Sequence, residues 1–271
     1  MRFFGDKQFL HGQERRDLIK GNRESIDRFK IDGTEKIARD GHYSVLNSSL
    51  ESFTESFNRV IPEGDIRKYI EHILESRKGR AIGIEFGGVG ENLFRDFSGG
   101  FFQKTFGVTL VDHRPKHEKR MGLRAYPTHQ ILVGDIFASE TYKNLKSILG
   151  SMKVDFIIER MLGGMEFVPI EPYTVSKVLQ EWYQLLSNGG IMLIQIPMVF
   201  DNLLLRWVRM LKEKYNDVLE VEYAQGLSDS NYGKDGVSVF RLRKLPNAPE
   251  TLPLLDPRTI QRTSISPSDL L

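Results

Sequence analysis

Four acids end short apolar runs in this chain: Glu85, Asp112, Asp135 and Glu159, with Gln195 in the same position after a fifth run. Carboxylates gathered at buried strand ends repel one another and lose hydration, so they call for a compensating partner. A cationic, hydroxyl-rich ligand is one such partner. Directly after Glu85 comes a glycine cluster, Gly87-Gly88-Val89-Gly90, and then Glu91 to Phe97, with Leu93, Phe94 and Phe97 on one helical side. Glycines let a backbone approach a ligand closely because no Cβ intervenes. The free N–H groups opening a helix then face that ligand. Strand, glycine turn, helix is the first unit of a nucleotide-binding sheet.

The elements that position these residues follow from periodicity. Residues 81–84 read as a buried strand, and four further strands are predicted at 107–111, 130–133, 154–158 and 191–196. Helices are predicted at 139–149, at 173–186 behind Pro172, and from Asp201 onward. Residues 218–224 and 237–242 alternate like a closing hairpin. Strands alternating with helices give an α/β fold, a doubly wound, mostly parallel sheet of seven strands. Before it, residues 46–60 repeat apolar side chains every three or four positions, and Asp65 is a candidate N-cap for a helix over 66–77. The expected organisation is an N-terminal helical cap over residues 1–64, the sheet domain over 65–245, and a Pro/Ser-rich, flexible tail over 246–271 that packs little.

Composition narrows the function. A net charge of +2 does not by itself imply nucleic acid. The absence of cysteine removes disulfides, thiolate metal sites and any cysteine nucleophile, and favours a reducing compartment. The opening residues lack the apolar run of a signal peptide, and no uncharged stretch approaches the ~20 residues needed to span a bilayer. A cytoplasmic protein without a membrane role is expected. The six histidines show no metal-ligand spacing, so no metal is expected. His42 and Tyr43, in the cap, are candidates for a base or substrate clamp reaching the cleft, and the basic run from Arg114 to Arg124 is a solvated face or an anion-holding patch.

The ordered set IGIEFGGVGENL, TLVDHRP, ILVGDIF, VDFIIERM and LLSNGGIMLIQIP resembles the class I S-adenosylmethionine-dependent methyltransferases, with their Rossmann-like fold, over residues 65–245. The family's glycine loop is acid-x-Gly-x-Gly-x-Gly; here it is Glu85-Phe86-Gly87-Gly88-Val89-Gly90. The resemblance implies S-adenosylmethionine as methyl donor and S-adenosylhomocysteine as product. It puts Glu85, Phe86, Gly87, Gly88 and Gly90 along the methionine and ribose, and Asp112, with His113 beside it, on the ribose hydroxyls. Asp135 and Ile136 take the adenine, and Glu159 and Arg160 sit where the methyl faces its acceptor. A small-molecule acceptor is favoured over RNA or protein. Cysteine-adduct methylation of pyrimidine C5 is excluded. Ile158-Glu159-Arg160-Met161-Leu162 lacks the Asn/Asp-Pro-Pro-aromatic motif of exocyclic-amine enzymes.

Two rival readings share the fold. In a nicotinamide-dependent oxidoreductase, Leu93 would stand where helix–strand packing wants glycine or alanine. A non-catalytic module would bind the cofactor, or recruit a partner through the cap or tail, without turnover.

Overall fold

A computed structural model describes residues 13–14, 16–27, 47–62, 64–97, 99–112, 128–160, 164–165, 172–197, 201–227 and 237–255. The sheet has seven strands: β1 (Ala81–Phe86), β2 (Phe102–Thr109), β3 (His129–Val133), β4 (Val154–Glu159), β5 (Leu186–Pro197), β6 (Leu219–Leu227) and β7 (Val237–Lys244). Their order is β3-β2-β1-β4-β5-β7-β6. β3, β2, β1, β4 and β5 run parallel, and β7 pairs antiparallel with both β5 and β6. The doubly wound sheet and its closing hairpin are therefore present as expected. The chain reverses direction across the sheet at β1, between β2 and β4, and in open α/β sheets that crevice is where ligands bind.

Each face of the sheet has its own core. On one side Ile82, Ile84 and Phe86 of β1 and Ile157 of β4 meet three helices, α4 (Ser139–Leu149), α5 (Pro172–Leu185) and α6 (Asp201–Tyr215). On the other side Phe156, Ile158 and Leu193 meet residues 50–61, α2 (Ile66–Ile73) and α3 (Glu91–Arg95). The covering segment over 50–61 consists of a 3₁₀ turn, Leu50–Phe53, running into the short helix α1, Thr54–Phe57. Its Leu50, Phe53, Phe57, Val60 and Ile61 are all buried in the same core as the strands, so this part of the N-terminal region is a layer of the sheet domain. The Asp65 side chain accepts the Lys68 N–H at 3.1 Å, the N-cap that the sequence predicts.

Residues 246–255 depart from the expected loosely packed tail; residues 256–271 lie outside the described residues. Residues 246–255 pack as a strap along α5 and α6, with Leu252 and Leu255 in the core. Tyr183 and Trp207 donate to the Pro249 and Pro253 carbonyls at 2.7 and 3.0 Å. The Leu255 N–H donates to Ser176 Oγ at 2.7 Å. Proline lacks an N–H but keeps a carbonyl, so a proline-rich segment can satisfy buried donors while two leucines anchor it.

Candidate active site

The glycine turn leaves β1 at the carboxyl end of the sheet. Glu85 lies opposite Gly107 of β2 and Ile158 of β4, and Phe86 lies opposite Glu159. The Gly87 N–H donates to the Val108 carbonyl at 2.8 Å, and the Arg160 N–H donates to the Phe86 carbonyl at 2.9 Å. The turn is thus held from both neighbouring strands. Gly87 has φ +87°, and a Cβ there would come within 2.7 Å of the Arg160 carbonyl. Gly107 faces the returning loop: a Cβ on it would lie 2.0 Å from the Val89 carbonyl oxygen.

His129 secures this loop. Its Nε2 lies 2.8 Å from the Val89 carbonyl oxygen and its Nδ1 lies 2.8 Å from Thr105 Oγ1. A carbonyl only accepts, so Nε2 is the donor, and in the neutral ring Nδ1 accepts a hydrogen bond from the Thr105 hydroxyl. Sequence reading weighs His129 only as a metal ligand and misses this part. The signal lies in the strand register, which sets His129 opposite Thr105. His129→Leu is expected to cost about 1–3 kcal/mol in urea denaturation, since it strands the buried Val89 carbonyl. Thr105→Val removes only the hydroxyl and should cost less.

Glu85 and Arg160 form a buried ion pair. Arg160 Nε and Nη2 donate to Glu85 Oε1 at 3.0 and 2.8 Å. The Glu85 side chain has 0% exposure and that of Arg160 4%. Nη1 donates to Ser48 Oγ at 2.9 Å, and the guanidinium carbon stands 4.6 Å from the centre of the Phe53 ring, a cation–π contact. Glu85 Oε2 is buried with no hydrogen-bond partner. Burial pushes the Glu85 carboxyl up, and Arg160 opposes that rise. The Gly90 N–H also lowers it.

Glu159 does not join them. It shares the face of Phe86, and its two oxygens accept the N–H groups of Met165 at 2.7 Å and Gln195 at 3.0 Å. A Cβ on Gly164 would stand 2.6 Å from Glu159 Oε1, so the chain after β4 wraps closely around this carboxylate. Glu159 and Arg160 are both buried and both bound by the protein's own groups.

The two aspartates lie beyond β2 and β3 and are half-buried. Asp135 Oδ1 accepts the Phe137 N–H at 2.8 Å, and its carbonyl accepts the Thr141 hydroxyl at 2.6 Å, which turns the chain into α4. Ile136 is buried, and Tyr142 donates to its carbonyl. The Phe86 side chain, read from sequence as part of the cofactor site, packs inward. Its ring stacks on Trp182 at 5.0 Å in the helix-covered core, because strand alternation turns it away from the face of Glu85. His42, Tyr43 and His113 lie outside the described residues. Among the described residues no group of three or more His, Cys, Asp or Glu could hold a metal ion.

No family model matches the chain, and no curated protein matches it. Solved structures do align with it. An rRNA methylase from Streptococcus thermophilus is 15% identical, with 66% of this chain and 96% of that chain covered and a TM-score of 0.44. For a putative methyltransferase from Streptococcus mutans in complex with SAH the values are 14%, 67%, 99% and 0.43. For the N-methyltransferase NodS from Bradyrhizobium japonicum they are 14%, 66%, 94% and 0.39. The strand pairing itself defines the architecture: five parallel strands whose order turns back at β1, closed by an antiparallel hairpin, give this chain a doubly wound, Rossmann-like fold.

Proposed function

We propose that the chain is an S-adenosylmethionine-dependent methyltransferase. The observation that carries this is the grouping at the switch point: the glycine turn after β1 lies between the ends of β2 and β4, and half-buried Asp112 and Asp135 follow the adjoining strands β2 and β3. These residues fit the adenosyl half of the cofactor. Asp112 is a hydrogen-bond acceptor for the ribose hydroxyls, and Asp135, with Ile136 beside it, serves the adenine. At the methionine half, Glu85 fits a cationic group once Arg160 is displaced from it. When bound, the cofactor supplies the electrophilic methyl for an in-line displacement; the protein's part is position and exclusion of water. A small-molecule acceptor is favoured, and S-adenosylhomocysteine is the product.

A cysteine-free chain agrees with the cytoplasm as its compartment. No helix among the described residues is long and apolar enough to cross a membrane.

Calorimetry with S-adenosylhomocysteine tests the reading. Asp112→Ala should weaken binding by about 10- to 100-fold, the loss of a charge-assisted hydrogen bond. Affinity equal to that of the unaltered protein would remove the ribose assignment.

A second reading, a non-catalytic cofactor-binding module, is favoured by one observation. Two of the four residues put forward for chemistry, Glu159 and Arg160, are bound by the protein's own groups. Binding without turnover across a panel of acceptors would support it.

A further inference from the structure

We infer that Arg160 is an internal stand-in for the cationic end of the cofactor, and that ligand entry exchanges one cation for another on Glu85. This rests on the cofactor reading above and adds a gate to it.

The ion pair is an incomplete one. A guanidinium facing a carboxylate squarely uses both oxygens in two parallel bonds. Here both bonds fall on Oε1, while Oε2 has no partner despite complete burial. Glu85 therefore keeps acceptor capacity that Arg160 does not use. The carboxylate also stays beside the glycine turn: a Cβ on Gly88 would stand 2.4 Å from Oε1.

What holds Arg160 in place comes from outside the sheet. Ser48 Oγ and the Phe53 ring both belong to the segment over 47–57. That segment is tied to the helix after the glycine turn. The Asn92 N–H donates to Asn47 Oδ1 at 3.0 Å, Asn92 Nδ2 donates to the Asn47 carbonyl at 2.7 Å, and the Leu50 N–H donates to Asp96 Oδ2 at 2.6 Å. One latch thus touches both the blocking cation and α3. A shift of this latch frees the guanidinium and loosens the glycine turn's helix together, which couples opening of the site to withdrawal of Arg160.

The cost of such a gate appears in the affinity, because only the withdrawn fraction is competent to bind. Titration calorimetry with S-adenosylhomocysteine reads it, alongside thermal unfolding of the unliganded protein. Arg160→Gln should bind at least about tenfold tighter while its unliganded Tm falls, since the competing cation is gone. Ser48→Ala keeps the charge and removes one strut. It folds even if Arg160→Gln does not, and should bind about two- to threefold tighter. Unchanged or weaker affinity in these variants, with the unaltered protein binding, overturns the gate and leaves the cofactor reading standing. No binding by the unaltered protein or either variant overturns the cofactor reading, and the gate with it.

Discussion

Glu85→Ala is expected to destabilise the protein by about 3–5 kcal/mol, the range for breaking a buried ion pair from one side. Its side chain is fully buried, and so is the guanidinium that it neutralises. Alanine leaves that charge beside Phe53 and Ser48 without the carboxylate that balances it. Chemical denaturation measures the loss. The double variant Glu85→Ala/Arg160→Met should regain most of it, since a packed apolar replacement for both members of a buried pair is often neutral. A single-variant loss below about 1 kcal/mol would mean that the pair behaves as a surface bridge does, and the buried geometry would then be wrong.

Phe86→Ala should cost about 3–5 kcal/mol, as large-to-small changes in aromatic cores do. The ring is stacked on Trp182 and tilted against Tyr142, with no exposure of its own. Folded Phe86→Ala should keep the affinity of the unaltered protein for S-adenosylhomocysteine. Phe86→Leu keeps most of the volume and should cost under about 1.5 kcal/mol. A variant that folds well but loses the ligand would return Phe86 to the cofactor site.

These two residues are neighbours in sequence and opposite in role, and that contrast marks how far sequence carries. Elements were legible where apolar spacing and end signals agree. Ser139–Leu149 has the predicted bounds, with Tyr142, Leu145 and Leu149 inward and Gly150, at φ +60°, as the stop. β5 starts earlier than predicted, at Leu186, because Gly189 at φ +83° lets the chain bulge between its pairings with Val154 and Phe156. The strand-end acids were legible as a set, but their faces were not. Pairing sets Glu85 beside Ile158 and Glu159 beside Phe86, which sends the two carboxylates to opposite sides of the sheet. Register between strands far apart in sequence is fixed by packing, so no local pattern displays it. The same holds for Arg160, whose partner Glu85 lies 75 residues away. The strap over 246–255 was missed because proline content resembles that of an unpacked chain, and only Leu252 and Leu255 hinted at burial.

The strand order bears on synthesis. β1 sits between β2 and β4, and β4 emerges from the ribosome only after β2, β3 and α4 have been made. A nascent chain ending at β3 would carry β1 with one bare edge, and the aromatic residues Phe53, Phe57, Phe94 and Phe97 would lack the Phe156, Ile158 and Leu193 floor that buries them. Such intermediates attract chaperones and other nascent chains. Productive folding of this protein therefore waits for β5, and slowing translation before β5 is complete should lower its soluble yield more than slowing it afterwards.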